Sequence, residues 1–554
     1  MEALKQVVAW GRTHILVVII ILSAFLRLYN LDKIPASLNW DEVSMGYSSY
    51  SILKTGHDEW GNFMPLLFRS YGEWKSPVYI YLLVPFIQVL GLNAWAVRLP
   101  AAIAGIIAVY LTYLIGKKLY GHQVGLWASF LLAVSPWHLM LSRPAFEAGV
   151  SLALTLAGIY FFLRFIDYPK RSRFSLRDSI FSSLFFGLAL HTYHSAQLVV
   201  PVIYLYLAIA NFRRLGFKKL LVGAVVLAIF VAPIALDFLS GQTQKRFAQV
   251  GITTDAELTQ MFFKYRDTFP LGNLGNKLVF NKATFILAKG FSNWTSYLSP
   301  HFLLGSESIR AQHSIPFRGV LYLSEFGLMA YGVFVLFKKY HGEARILPII
   351  MIAIGFVPAA LTKDIYHVLR AILTLPWWQI LAAIGLVNLE KLKPKYPHLR
   401  STIYYLLGLE ILVFLFLYFC WYGRAFARDW QYGYQQAAEW VGSHQSEYTH
   451  ITITKAYGEP QLFFAFYNKW DPTWYQHENQ KLLDYETKGY PWLDQLPEYS
   501  LGKYTFRDMN WALDNHKSGE LFVGQSHQFY ADTPVLAKFD FPDGTNAFTI
   551  VKGQ

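Results

Sequence analysis

Pro35-Ala36-Ser37-Leu38-Asn39-Trp40-Asp41-Glu42-Val43-Ser44-Met45-Gly46-Tyr47 follows directly on the first apolar run of the chain, residues 15–28. Two adjacent carboxylates therefore stand where a membrane helix meets water. A charge at that depth is costly unless it is solvated, paired or used. Two readings of the pair stand side by side. Asn39 can N-cap a helix, which puts Asp41 and Glu42 in its first turn, where negative charge suits the helix dipole. Val43, Tyr47, Tyr50 and Leu53 then form an apolar stripe, and Gly56 can end the helix. On that reading the acids only start a helix; on the other they carry chemistry.

The composition says which class of chain surrounds them. Of 554 residues, 54% are hydrophobic, 17% aromatic and only 15% charged, where a soluble protein carries about 25% charged residues. With a mean hydropathy of +0.28, this is the composition of a polytopic membrane protein. The net charge of +13 does not point to nucleic acid. The basic residues sit in short loops between apolar spans, as the positive-inside rule places them on the cytoplasmic face. The single cysteine, Cys420, excludes an intramolecular disulfide. Basic residues precede the first apolar run without a small-residue cleavage site, so the N-terminus reads as a retained first helix.

Taken in order, the apolar runs predict eleven crossings, with the N-terminus inside and the C-terminus outside. They fall near residues 15–28, 98–116, 124–141, 145–165, two short helices within 180–210 joined at His191–Gln197, 220–236, 319–337, 345–361, 370–388 and 402–421. Inner loops carry Lys117-Lys118, Lys170-Arg171, Lys338-Lys339 and Lys391, Lys393, Lys395. Outer loops cover 30–97 and 238–318. Residues 77–91 are apolar but would rise only about 22 Å as a helix, short of a ~30 Å hydrocarbon core. Ser76-Pro77 is a good helix start, so a helix lying along the outer interface is expected. The membrane part thus spans 1–424. Residues 425–554 are polar and aromatic, with a helix expected at 434–441 and strands at 450–454, 521–523 and 546–551. They read as a small α/β or α+β domain outside the membrane.

Under this topology polar groups from distant parts of the chain face the outer side: Asp41 and Glu42, Lys75, Arg98, Arg143 with Glu147, His191 with His194, His301, His367 and Arg370. Carboxylates and cations at one face make a base and an anion site, and Arg and Lys bind phosphate well. Each has a plainer account. Arg143 and Glu147, four apart, can simply pair. His191 and His194 lack an obvious third ligand for a metal. Arg370 can snorkel to lipid headgroups, and the tryptophans Trp40, Trp60, Trp74 and Trp95 can form an aromatic belt.

The ordered set of motifs resembles the membrane glycosyltransferases of the GT-C fold, close to glycosyltransferase family 39, the protein O-mannosyltransferase and aminoarabinose-transferase superfamily. It rests on Asp41-Glu42, Lys75-Ser76-Pro77, Val97-Arg98-Leu99-Pro100, Ser142-Arg143, Tyr297 to Gly305, His313-Ser314-Ile315-Pro316 and His367-Val368-Leu369-Arg370, over residues 15–420. The chain departs from many relatives at Ser76-Pro77, where those have two prolines, and residues 425–554 carry little that matches.

The resemblance implies inverting transfer of a monosaccharide from a polyprenyl-phosphate donor to a protein, lipid or glycan acceptor outside the cytoplasm, in the plasma (inner) membrane. It implies Asp41 as base and Glu42 orienting acceptor or cation. It puts the donor phosphate among Lys75, Arg143 and Arg370, with Arg98 structuring the loop. It implies no definite cofactor and leaves a divalent metal open. The chemistry fits the residues: an inverting displacement needs one base and positive charge on the departing phosphate. Two other classes compete. A lipid-sugar flippase or transporter should carry charges in mid-span, and few are present. A non-catalytic lipid-binding protein would have no use for Asp41.

Overall fold

The computed structural model describes residues 2–72, 74–167, 173–239, 251–252, 256–305, 310–391, 397–514 and 518–553. The basic loop residues Lys170, Arg171, Lys393 and Lys395 lie outside them, as do residues 240–250 of the long loop.

Asn39 does cap a helix, Trp40–Thr55. Its side chain accepts the Glu42 N–H at 3.0 Å, and the Glu42 carboxylate accepts the Asn39 N–H at 3.1 Å. This reciprocal capping box satisfies two donors that a helix start leaves open. Gly56 closes the helix in the left-handed region, φ 73°, where a side chain is strained. The expected one-sided stripe is too narrow. Val43 and Tyr47 are buried, and so are Ser44, Ser48, Ser49 and Ser51 on other faces. The helix is packed all round, so its small polar residues turn their hydroxyls onto backbone carbonyls: Ser49 donates to Ile80 at 2.8 Å and Ser51 to His57 at 2.8 Å.

Contacts divide the chain into two compact units. The first comprises Met1–Arg27, Ala102–Ser142 and Glu147–Phe414; the second comprises Leu28–Ala101, Arg143–Phe146 and Leu415–Gln554. The first outer loop thus packs with the C-terminal region, a division that sequence alone does not show.

The first unit is helical. Six helices among the described residues are long and apolar enough to cross a membrane: Ala94–Tyr120, Glu147–Asp167, Phe217–Asp237, Glu343–Ala360, Ile372–Glu390 and His398–Ala425. They are seven if His122–Val134 and Pro136–Ser142, bent by 59°, form one span. This is a multi-pass membrane protein, although eleven crossings are not matched one for one. Within the expected stretches 180–210 and 319–337, the helices His194–Ala210 and Leu323–Lys339 have 17 residues each. Residues 180–210 do form two helices, Arg173–Leu190 and His194–Ala210.

Two packing devices hold this unit. Leu323–Lys339 and Trp377–Glu390 touch backbone to backbone at Gly332 and Gly385. A Cβ on Gly332 would stand 1.9 Å from the Leu381 carbonyl oxygen, and one on Gly385 2.0 Å from that of Leu328. Small residues at such crossings are what membrane helices use to approach closely. Glu410, in the helix Pro397–Phe416, reaches across to cap another helix: its carboxylate accepts the N–H groups of Leu323 at 2.8 Å and Ser324 at 3.1 Å. A carboxylate there meets the positive end of the helix dipole.

In the second unit β1 (Phe68–Arg69) and β2 (Trp74–Lys75) form an antiparallel hairpin. Ser76-Pro77 then starts the helix Pro77–Leu90, as its sequence predicts. A six-stranded sheet follows from β3 (His450–Ile453), β4 (Glu498–Leu501), β5 (Tyr504–Arg507), β6 (Glu520–Gly524), β7 (Val535–Asp540) and β8 (Asn546–Lys552), in the order β4-β5-β3-β6-β8-β7. Central β3 runs parallel to β5 and β6, and the outer pairs are antiparallel. With the helices Tyr434–His444, Pro460–Tyr467 and Pro472–Gln480 this is a small α/β arrangement. Trp511, Phe522, Phe529 and Val551 form one of its apolar clusters.

Candidate active site

The two adjacent acids have opposite environments. Glu42 is wholly buried, and Arg98 grips it twice, Nε to Oε1 at 2.8 Å and Nη2 to Oε2 at 3.0 Å. The same carboxylate also accepts the Ala145 N–H at 2.9 Å and that of Asn39. Arg98 spends its other donors on the carbonyls of Leu31, Pro35 and Ser37. Charged partners and backbone groups therefore occupy both side chains, and the pair ties residues 31–37 to the helix start. Asp41 instead keeps 37% of its side chain exposed. Its Oδ1 accepts the Lys75 ammonium at 2.8 Å, and Lys75 is itself 7% exposed. Lys75 owes this position to the hairpin, which pairs it with Phe68.

Within electrostatic reach of Lys75 lies an acid that no sequence motif marks. Glu59 is 1% exposed, and neither carboxylate oxygen has a hydrogen-bond partner among the described residues. Burial, then the neighbouring Asp58 carboxylate, push its pKa up to about 8, against the opposing pull of Lys75 and the Ser48 and Ser44 hydroxyls. Its backbone carbonyl accepts the Asn479 side chain at 2.9 Å. A loop residue carries no periodic signal, and this burial comes from packing more than 400 positions away in the chain, so spacing could not reveal it.

Arg143 also lies in the second unit. It is buried and donates to the carbonyls of Tyr29 at 2.7 Å, Asn30 at 3.2 Å and Ile34 at 2.8 Å, with the Phe419 ring 5.1 Å away. Its contacts here are to a turn rather than to open space for a phosphate. An open cleft of about 1210 Å³ in this unit, lined by Trp95, Tyr432, Gln435, Glu439 and Lys469 among others, does not include Asp41 or Lys75.

The remaining candidates lie in the first unit. Arg370 Nη1 is 3.6 Å from Asp364, and its backbone carbonyl accepts the Ser195 hydroxyl at 3.2 Å, beside the His194 start of the helix His194–Ala210. The Tyr297 hydroxyl accepts the His367 N–H at 2.9 Å, the His301 ring is 5.6 Å from Tyr366, and the His313 and His367 rings are 5.0 Å apart. Burial, with the Arg370, His313 and Arg310 charges added, holds His367 well below the usual histidine pKa, so it is neutral. The structure thus gathers His301, His367 and Arg370 in one turn region, with the His194 helix start beside it. Glu147 begins the helix Glu147–Asp167. His191 is held to the Phe230 carbonyl at 2.7 Å. Among the described residues no three His, Cys, Asp or Glu side chains gather as a metal site.

These features define a multi-pass membrane protein with the GT-C fold. Its overall likeness is to ArnT from Cupriavidus metallidurans bound to undecaprenyl phosphate: TM-score 0.55, 12% identity, covering 99% of this chain and 98% of that one. The profile of the family described as dolichyl-phosphate-mannose-protein mannosyltransferase matches residues 74–236. Two Bacillus subtilis (strain 168) proteins provisionally named mannosyltransferases are also similar. YycA is 24% identical over 264 residues, and YkcB 31% over 134 residues. The matches cover 46% and 23% of this chain but only 36% and 17% of the lengths of those relatives.

Proposed function

We propose that this protein is an inverting glycosyltransferase that moves a monosaccharide from a polyprenyl-phosphate donor to an acceptor hydroxyl on the outer side of the plasma (inner) membrane. The observation that carries this reading is the Asp41–Lys75 pair: a part-exposed carboxylate at a rigidly capped helix start, held 2.8 Å from a buried ammonium. The family match and the fold agree with it.

Asp41 takes the proton from the acceptor hydroxyl. The acceptor oxygen bonds to the anomeric carbon from the face opposite the donor phosphate. The bond from that carbon to the phosphate oxygen breaks, and its electron pair leaves with the polyprenyl phosphate. Lys75 releases Asp41 and takes the phosphate charge. No protonated acid is required, because phosphate leaves as a stable anion. Glu42, Arg98 and Arg143 order the loop that presents Asp41. In the first unit, Glu147, His194, His301, His367 and Arg370 are proposed as substrate-binding residues. A divalent ion is not assigned ligands.

Purified protein incubated with polyprenyl-phosphate monosaccharides labelled in the sugar tests the proposal. Transfer, or slow hydrolysis releasing labelled sugar, supports it. Binding of the lipid without either, across sugars and acceptors, would favour a lipid-binding protein instead.

A further inference from the structure

Glu59 is a buried acid with no hydrogen bond to its carboxylate among the described residues, and it lies within electrostatic reach of Lys75, which holds Asp41 at 2.8 Å. Ser44 and Ser48 face it from the helix Trp40–Thr55, and Lys75 from β2. Asp58 adjoins it in its own loop, where the Asp58 carboxylate is occupied by the N–H groups of Trp60 and Asn62 at 2.9 and 2.8 Å. Tyr47, Tyr71 and Tyr475, all buried, also lie within electrostatic reach of it.

We propose that Glu59 is a positioning residue for Lys75: the charge on Glu59 decides whether the ammonium that holds Asp41 is presented outward or drawn back.

This rests on the reading of Lys75 as a phosphate ligand. With a pKa near 8, Glu59 is mostly protonated at neutral pH and does not compete for Lys75. When it ionises, a second carboxylate pulls on the same ammonium inside a low-dielectric pocket, where such an attraction is strong. The three tyrosines are pushed well above pH 10, by burial first, and stay neutral throughout. The result is a loss of phosphate affinity on the alkaline side that Glu59→Gln removes.

The experiment measures binding of undecaprenyl phosphate to the purified full-length protein in detergent from pH 7 to pH 9. If only the protonated form presents Lys75, wild-type affinity falls roughly tenfold by pH 9, the reciprocal of the competent fraction. Glu59→Gln, which cannot ionise, is expected to keep its pH 7 affinity at pH 9. Ser48→Ala removes a hydroxyl that favours the ionised form, so its affinity loss moves to higher pH. A merely structural role would move neither midpoint. A folded Glu59→Gln protein that loses affinity as wild type does overturns the inference. If that variant does not fold, an unmoved midpoint in Ser48→Ala overturns it. Wild-type binding that does not change with pH removes the role of Glu59 and leaves the proposed function standing. No binding at any pH removes both.

Discussion

Arg98 and Glu42 form a fully buried, doubly hydrogen-bonded ion pair, 2.8 and 3.0 Å, one residue from an acid that keeps more than a third of its side chain in solvent. Such a pair is weak as net stabilisation, because desolvation offsets its attraction, but removing one partner leaves an uncompensated buried charge.

Arg98→Ala is therefore expected to cost about 3–5 kcal/mol and to lower the melting temperature of the purified protein sharply. Arg98→Lys should rescue little of it. Lysine has three donors on a point charge where this site uses five in a planar fork. Thermal unfolding in detergent reads both, and a near-wild-type Arg98→Lys would show that the fork is not what matters.

The contact at Gly332 and Gly385 leaves no room for a side chain. Gly385→Val must push the two helices apart, an overpacking cost of about 1–3 kcal/mol or more. Gly408→Ala is the control, since nothing lies within 4 Å of its added Cβ, and it should be neutral or slightly stabilising. Folded yield and melting temperature of the two variants should separate clearly.

Glu59 also makes a prediction about stability. Its folded pKa, near 8, lies above the ordinary glutamate value of 4.5. The folded state therefore holds a proton that the unfolded chain gives up earlier. The stability this supplies is fully present below pH 4.5 and is lost as pH rises towards 8. Glu59→Gln cannot lose it. The melting temperature of the variant, measured relative to wild type, should climb between pH 5 and pH 8 and then level off. A difference that stays flat over that interval would place the Glu59 pKa near its ordinary value.

Local chemistry made much of this legible in the sequence. The cap at Asn39, the stop at Gly56, the Ser76-Pro77 helix start and the paired short helices around His191 all follow from residue preferences over a few positions. Strand β3 showed its alternation and β6 and β8 their short apolar runs, whereas β4, β5 and β7 are short or partly exposed and did not. Longer-range relationships were not legible. Nothing near Leu323 announces a cap from Glu410, 87 positions on. Nothing near Glu59 announces burial by Tyr475 and Asn479. The joining of Leu28–Ala101 to the C-terminal region is likewise a property of packing. Glu42 and Arg143 illustrate a further limit: the sequence marks them as unusual charges at a membrane face, and only their partners distinguish groups that order a loop from one, Asp41, that keeps part of its side chain in solvent.

Asp41→Asn tests the central claim most directly. The substitution keeps the size of the side chain and leaves the Asn39–Glu42 capping box in place. If Asp41 only complements the helix dipole, stability falls by about 0.3–1 kcal/mol and turnover is nearly intact. If Asp41 is the base of sugar transfer, folding and polyprenyl-phosphate binding persist while transfer from a labelled polyprenyl-phosphate sugar falls by about 10²–10⁴-fold, the usual contribution of a positioned base. The account predicts the second result; near-wild-type transfer by a folded Asp41→Asn protein would contradict it.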